Sequence, residues 1–250
     1  MNMIRAVNLD VGYGAEPVLR NLNFIIPPEK ITVVVGESGS GKSTLLKALI
    51  GLNRPLAGEV YWGEERVDFD SEHSLSALYR RIGVLYQNSA LLNSLTLYEN
   101  IALPIRIHRS SMLRADEENR VHEVLRMVGL HGADEKYPFE LSGGMRKRAA
   151  LARAMVLEPE IVFCDEPSAG LDPLTAAGLD ELLRSLQSSH GMTFVAVTHE
   201  LRSIGRIADR VLLLRGDGIR FDGDFRDVAS SDDEYLRSFF LLKDVKDETP

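Results

Sequence analysis

The stretch "GESGSGKST" at 36–44 constrains this 250-residue chain more than any other. It fits the spacing G-x-x-x-x-G-K-[ST], with Gly36, Gly41, Lys42 and Ser43 at the fixed positions. The apolar run "ITVVV" at 31–35 precedes it, and the helical pattern "STLLKALIG" follows it. A strand, a glycine-rich turn and a helix in that order make a phosphate cradle. Glycines let successive N–H groups face one centre, and the helix N-terminus adds its dipole. Gly36, Glu37, Ser38, Gly39, Ser40 and Gly41 are expected to form that loop, with amides from Gly39 to Thr44 around phosphate oxygens. Lys42 is expected between the β- and γ-phosphates, and the Ser43 hydroxyl on Mg²⁺.

The rest of the chain fits an α/β frame around this loop. Short β-branched runs recur at 4–9, 22–26, 31–35, 59–62, 82–86, 161–164, 193–197 and 210–214. Several are apolar throughout, as expected of strands buried on both faces of a parallel sheet. Helical patterns lie between them at 43–51, 116–129, 143–157, 174–188 and 200–207. The first 30 residues read as antiparallel. Residues 88–158 offer no convincing strand and two or three helices, so they are expected to be a helical insertion. The reading is a P-loop NTPase core with a mainly parallel sheet, an N-terminal antiparallel β part and an inserted helical subdomain.

Three further strand ends carry chemistry. "IVFCDEP" ends a buried strand in two carboxylates. Ligands of open α/β sheets sit at such C-terminal ends. Asp165 is expected to hold Mg²⁺ through water, and Glu166 to polarise an attacking water. His199, after "TFVAVT", is expected to contact the γ-phosphate or to hold the water with Glu166. Gln87, closing "IGVLYQ", is expected to reach Mg²⁺ or the water.

A second anion cradle, "LSGGMRKRAALARAM" at 141–155, lies about a hundred residues beyond the first. Ser142, Gly143 and Gly144 open a basic, Ala-rich helix, and free N–H groups there favour an anion. Arg146, Lys147 and Arg148 are expected to form a solvated helix face, or else to supply charge to phosphate across an interface.

Taken together, these motifs resemble the ATP-binding subunits of ABC transporters over essentially residues 3–225. "GESGSGKS" looks like the Walker A motif, "IVFCDE" the Walker B, "LSGGM" the signature, Gln87 the Q-loop and His199 the switch histidine. "SAGLD" resembles the D-loop, with Asp172 in its characteristic place. Tyr13 resembles the aromatic that stacks on adenine, with Val18 beside the ring. The resemblance implies the ABC ATPase fold in one domain at 3–240. Residues 1–87 and 159–230 would form the core, 88–158 the insertion, and 231–250 a C-terminal helix and tail. It also implies ATP and Mg²⁺ as cofactors, and two copies paired head to tail. Ser142, Gly143 and Gly144 of each would then cap the γ-phosphate held by the other. Met145 departs from the usual glutamine of the signature, and is expected to face the helical core.

Membrane permease subunits would be the partners, pressing a short helix into a groove. Leu91, Leu92, Leu95, Leu97, Tyr98 and Ile101, in a loop-like context, are expected to line it or to pack the helical part internally. The Met-bearing signature, "LEPEIVFCDEPSAGLDPLT" and "ALLNSLTLYENIALPIR" look most like the ATPases of MCE-associated lipid transporters. That branch implies phospholipid cargo, an MCE-domain protein, a small STAS-domain protein, and a place on the cytoplasmic face of the inner membrane. Other cargo, or a non-transport cassette regulating envelope remodelling, is the alternative. A P-loop kinase would leave "LSGGM" and "SAGLD" without a role.

A net charge of −8 argues against nucleic acid as a partner. The one cysteine, Cys164, excludes a disulfide within the chain and fits a reducing compartment. In the C-terminal stretch, Leu236, Phe239, Phe240, Leu241 and Leu242 form an apolar patch. It is expected to fold back on the core, the alternative being a reach to a second subunit.

Overall fold

The continuous apolar runs become strands buried on both faces. The structure is a computed structural model that describes residues 3–244. An N-terminal hairpin of β1 (Ile4–Tyr13) and β2 (Glu16–Ile26) joins β4 (Ala57–Trp62) and β5 (Glu65–Arg66) in an antiparallel sheet of order β2-β1-β4-β5. A six-stranded sheet holds β3 (Ile31–Gly36), β6 (Ile82–Leu85), β7 (Ile161–Asp165), β8 (Thr193–Val197), β9 (Arg210–Arg215) and β10 (Gly218–Asp224). Its order is β10-β9-β3-β8-β7-β6, and only the β10–β9 pair is antiparallel.

Alternation along these strands divides the core in two. Val33, Val35, Val162, Cys164, Phe194 and Ala196 face a helical layer. Val34, Ile161, Phe163, Val195 and Val197 face the antiparallel sheet and α1 (Lys42–Leu49). Burial pushes the Cys164 thiol up to about 12, so this group is core material. The helical layer includes α3 (Leu97–His108), α4 (Arg114–Met127), α5 (Gly143–Met155), α6 (Pro173–His190) and α7 (Leu201–Ile207). A further helix, α2 (Glu72–Arg81), precedes β6. Helices α3, α4 and α5 all fall between β6 and β7 in the chain.

The C-terminal segment forms α8 (Phe225–Ser230) and α9 (Glu234–Asp244). Leu236 and Phe239 are buried in the helical core, and Phe240 meets Phe225 edge-on. These three residues fold back on their own chain. The side chains of Leu241 and Leu242, and residues 245–250, lie outside the described residues.

Helix α3 departs from the loop-like reading of 91–101. Thr96 and Glu99 form a reciprocal capping box, and Leu97, Ile101 and Ile105 recur at i, i+4 and i+8 on its buried face. The loop before it is tied to Asn100, which is fully buried. Its side-chain oxygen accepts from Leu92 N at 2.8 Å, and its amide donates to the carbonyls of Leu92, Leu95 and Thr96 at 2.9–3.1 Å. Asn100→Ala strands several of these buried groups, each costing about 1–3 kcal/mol. The variant is expected to lose about 2–4 kcal/mol of unfolding free energy in urea denaturation. A loss under about 1 kcal/mol would show that this knot contributes little.

Candidate active site

Four neighbouring parallel strands end together and present their following residues along one edge. Val34 pairs with Val197, Asp165 with Val197, and Leu85 with Cys164. The phosphate loop follows β3, Gln87 follows β6, Asp165 and Glu166 close β7, and His199 follows β8. They meet around a cavity of about 590 Å³. Gly36, Ser38, Gly39, Gly41, Lys42, Ser43 and Thr44 form one wall. Gln87, Asp165, Glu166 and His199 form the opposite one, and Tyr13 and Val18 border the mouth.

Glycine is required where the loop turns. At Gly36 (φ +156°) an added Cβ would lie 2.5 Å from Ser40 Oγ and 2.7 Å from the Leu214 carbonyl oxygen. Gly41 caps α1 in the left-handed region at φ +90°. The Lys42 ammonium donates to the carbonyls of Gly36 at 3.0 Å and Glu37 at 2.8 Å, which holds the cation beneath the loop. Thr44 Oγ1 donates to the Tyr13 hydroxyl at 3.1 Å, leaving the Tyr13 ring half exposed above the loop. Glu37 and Ser40 turn away from this cavity, toward a smaller cleft beside Arg215. There Glu37 Oε1 accepts from the Tyr235 hydroxyl at 2.9 Å.

Burial, then the neighbouring Glu166 charge, raises the Asp165 carboxyl above its ordinary range. Glu166 Oε1 lies 2.8 Å from His199 Nδ1. The Glu166 backbone sits at φ +48°, an uncommon conformation for a residue with a side chain, and its N–H donates to the Val197 carbonyl at 2.8 Å. Asp165 Oδ1 and Glu166 Oε2 are buried acceptors that no protein donor satisfies. Orphaned acceptors beside a hydroxyl and a phosphate cradle suit a hydrated Mg²⁺, which takes one or two carboxylates and completes its shell with phosphate and water. Ser43, Gln87 and Asp165 have the donor chemistry to hold it.

The second cradle lies elsewhere. Ser142 caps α5 by accepting from Met145 N at 3.2 Å, and neither it nor Gly143, Gly144 or Met145 lines the cavity. Gly144 packs so tightly on α6 that a Cβ would lie 2.4 Å from Thr175 Cγ2, and one on Gly143 would lie 3.3 Å from Leu171 Cδ2. The signature and the 168–172 loop therefore abut. Asp172 caps α6, accepting from Leu174 N at 3.1 Å and Thr175 N at 3.0 Å, and hydrogen bonding from the Thr175 side chain, then from these backbone donors, holds its carboxyl below the usual range. Met145 packs against the helical core.

The basic run on α5 is solvated only in part: Arg146 is exposed, while Lys147 and Arg148 turn toward the protein. Lys147 is buried and donates to the carbonyls of Gln87 at 2.6 Å and Glu166 at 3.1 Å. Arg148 donates to those of Val128 at 3.1 Å and Gly178 at 3.2 Å, and Arg146 to that of Leu141. Burial lowers the Lys147 ammonium from its ordinary value, while nearby Cys164 and Glu166 oppose that shift. Arg153, further along α5, donates to the carbonyls of Ser89 at 2.9 Å and Ala90 at 2.7 Å. The sequence singles out Lys147 only as a solvated or interface charge and Arg153 not at all, whereas both hold backbone carbonyls beside the site. Their signal was position on a helix whose Ala and Leu residues are buried around much of its circumference.

A separate apolar groove of about 470 Å³ runs between the core and the inserted helices. Leu52, Tyr79, Tyr86, Leu103, Pro104 and Ile107 are among its lining residues. The six residues expected there from sequence are not. Leu97 and Ile101 are fully buried, Leu91 and Tyr98 pack on the helical core, and Leu92 is exposed.

Comparison with known proteins adds the following. The family described as ABC transporter matches residues 19–169. The chain is 36% identical over 236 residues to a probable ribonucleotide transport ATP-binding protein, mkl, of Mycobacterium leprae, covering 94% of this chain and 68% of that protein. It is 38% identical over 214 residues to the methionine import ATP-binding protein MetN 1 of Acinetobacter baylyi, covering 84% of this chain and 59% of that protein. The chain thus spans only part of these curated relatives. A bacterial ABC transporter cassette solved as a dimer matches with a TM-score of 0.79 at 30% identity, covering 89% of this chain and 99% of that one. A cassette of the cbiONQ transporter complex of Clostridium perfringens matches with a TM-score of 0.84 over 97% of this chain and 96% of that one. At 24% identity it speaks for the fold alone.

Lys42→Ala removes the only cation in the phosphate loop. Hydrogen bonds to charged groups contribute about 1.5–3 kcal/mol, so affinity for a fluorescent ATP analogue is expected to fall about tenfold or more. Unchanged affinity would remove Lys42 from phosphate binding.

Proposed function

The chain belongs to the ABC transporter family, whose cassettes bind ATP with Mg²⁺ and hydrolyse it, and we propose that it is the ATP-hydrolysing subunit of a transporter with a separate membrane-embedded part. Among the described residues, no helix is long and apolar enough to cross a membrane.

One observation carries this reading. A single cavity gathers the phosphate loop, the acid pair, Gln87 and His199, while the signature lies outside it against Leu171 and Thr175. Each chain thus offers one complete cradle and one detached anion-binding helix end. A second copy, turned head to tail, would bring its Ser142, Gly143 and Gly144 over the γ-phosphate. The relative solved as a dimer supports this pairing. Loop amides and Lys42 would hold the β- and γ-phosphates. Ser43, Gln87 and Asp165 would hold Mg²⁺, which neutralises phosphate charge. Glu166 would take the proton of the attacking water, and His199, 2.8 Å from its Oε1, would keep that carboxylate oriented toward the reacting phosphate. Tyr13 would stack on the adenine with Val18 beside it. Asp172 would meet the partner copy at the closed interface.

The apolar groove supports docking of a short helix from a permease subunit, with Leu103, Pro104 and Ile107 on one side and Leu52 and Tyr79 on the other. For cargo, the Met145 signature and the stretches 90–106 and 157–175 support the lipid branch: phospholipid moved between inner and outer membranes. That reading brings a permease dimer, an MCE-domain protein and a small STAS-domain protein, with this chain on the cytoplasmic face of the inner membrane. The relatives named for ribonucleotide and methionine transport support another cargo as the second reading.

General-base catalysis contributes roughly 10²–10⁴-fold. Glu166→Gln is therefore expected to bind ATP normally, to lose at least about 100-fold in turnover, and to elute as a dimer when ATP is present. Wild-type turnover would remove Glu166 from the reaction. Purification from the native membrane, followed by identification of co-eluting subunits and lipids, separates the cargo readings. An MCE-domain partner and bound phospholipid support the first. A solute-binding partner without lipid overturns it.

A further inference from the structure

Lys147 does something that neither its motif nor its charge announces. Resting on the ATPase reading above, we propose that Lys147 is a positioning residue for hydrolysis, fixing the backbones of Gln87 and Glu166 to the helix that carries the signature. The residue is 5% exposed, and its ammonium reaches carbonyls at the ends of two adjacent strands, Gln87 after β6 and Glu166 after β7. A buried lysine is uncommon, and here both acceptors are neutral carbonyls rather than carboxylates. A space-filling role would be met by an apolar side chain of the same length. What lysine adds is several donors on one flexible stem, able to bridge two separate backbones.

Both backbones need such a hold. Glu166 stands in the left-handed region, where a residue with a side chain stays only if its surroundings over-determine it. Its N–H is held by the Val197 carbonyl, and its own carbonyl takes Ala169 N–H at 3.2 Å and Lys147 Nζ at 3.1 Å. Beyond Gln87, Ser89 and Ala90 lie at φ +62° and +50°, and Arg153 of α5 holds their carbonyls. One helix therefore supports the carbonyls of Gln87, Ser89, Ala90 and Glu166. Its first turn, three residues before Lys147, is the signature glycine pair that would engage the partner's nucleotide. A shift of α5 on that engagement moves the carboxylate that activates water and the glutamine facing it together. Lys147 thus links the state of one nucleotide site to the competence of the other.

The test uses the full chain and two variants, each assayed for steady-state ATP hydrolysis, fluorescent-ATP affinity and melting temperature. Lys147→Met keeps the length and removes every donor. Lys147→Gln keeps two N–H donors on a shorter stem. We expect kcat to fall about 30-fold or more in Lys147→Met and by three- to thirtyfold in Lys147→Gln, with ATP affinity within threefold of wild type in both. A fall in affinity that matches the fall in kcat would mean a merely structural role, and would overturn the proposal. So would wild-type kcat in either variant, or Lys147→Met no slower than Lys147→Gln. If Lys147→Met does not fold, Lys147→Gln alone decides on the same criteria. A wild-type chain that neither binds nor hydrolyses ATP would overturn the ATPase reading instead, so the two failures are distinguishable.

Discussion

Parallel strands that stop at the same level are what the rest of the molecule depends on. In the pairs β6–β7 and β7–β8, the register brings Leu85 level with Cys164 and Asp165 level with Val197. A parallel sheet has all its C-terminal ends on one edge, so residues just past those ends come together without long loops. The result is close packing of like charge. Asp165 and Glu166 are adjacent, and the negative field at Asp165 adds to its burial. Such an arrangement is tolerable only with nearby cations and donors. Lys42, beneath the phosphate loop, and Lys147, behind the acid pair, supply them from opposite sides.

Helix α5 shows how one element serves two surfaces. Its first turn must lie against α6 with no side chain between, which Gly144 alone allows beside Thr175. Its body is Ala-rich, so the helix fits closely against the core, and a close fit leaves no water for inward-pointing polar groups. Lys147, Arg148 and Arg153 each end on backbone carbonyls for that reason. Apart from that of Gly178, inside α6, the carbonyls they reach belong to segments outside regular ladders, where buried acceptors need donors from elsewhere.

Sequence and structure agree wherever the signal is local. The phosphate loop is legible because a fixed spacing between a strand and a helix has few other uses. Buried strands such as "ITVVV" and "TFVAV" are legible because period-2 alternation is lost when both faces are covered. Helix α3 was hidden because Pro104 lies inside it, although Thr96 and Glu99 form a capping box that was present to be read. The edge strand β10, "GIRFDGD", carries two glycines and two aspartates that blur its pattern. The run Arg146-Lys147-Arg148 misled for a geometric reason. Consecutive residues on a helix point about 100° apart, so three in a row span about 200°, more than the solvated face left on a helix buried around much of its circumference. At least one had to turn inward, and only tertiary structure identifies it as the lysine that reaches the backbones of Gln87 and Glu166.

The distance between the two anion cradles follows from the same geometry. A helix N-terminus binds an anion along its axis, and its attraction falls off within the first turn. The N-terminus of α1 is used by the loop at the sheet edge. The N-terminus of α5 abuts Leu171 and Thr175, outside the cavity its own chain builds. One chain cannot bring both to a single phosphate without undoing the packing that holds Gly144 on α6. Two chains could, because the proposed head-to-tail pairing would supply the second helix end from a different copy. In the proposed pair, closure would gain most while the γ-phosphate is present, and that gain would disappear when the phosphate leaves. Lys147 sits three residues inside the helix end proposed to sense this change, with its ammonium on the carbonyl of the residue proposed to cause it.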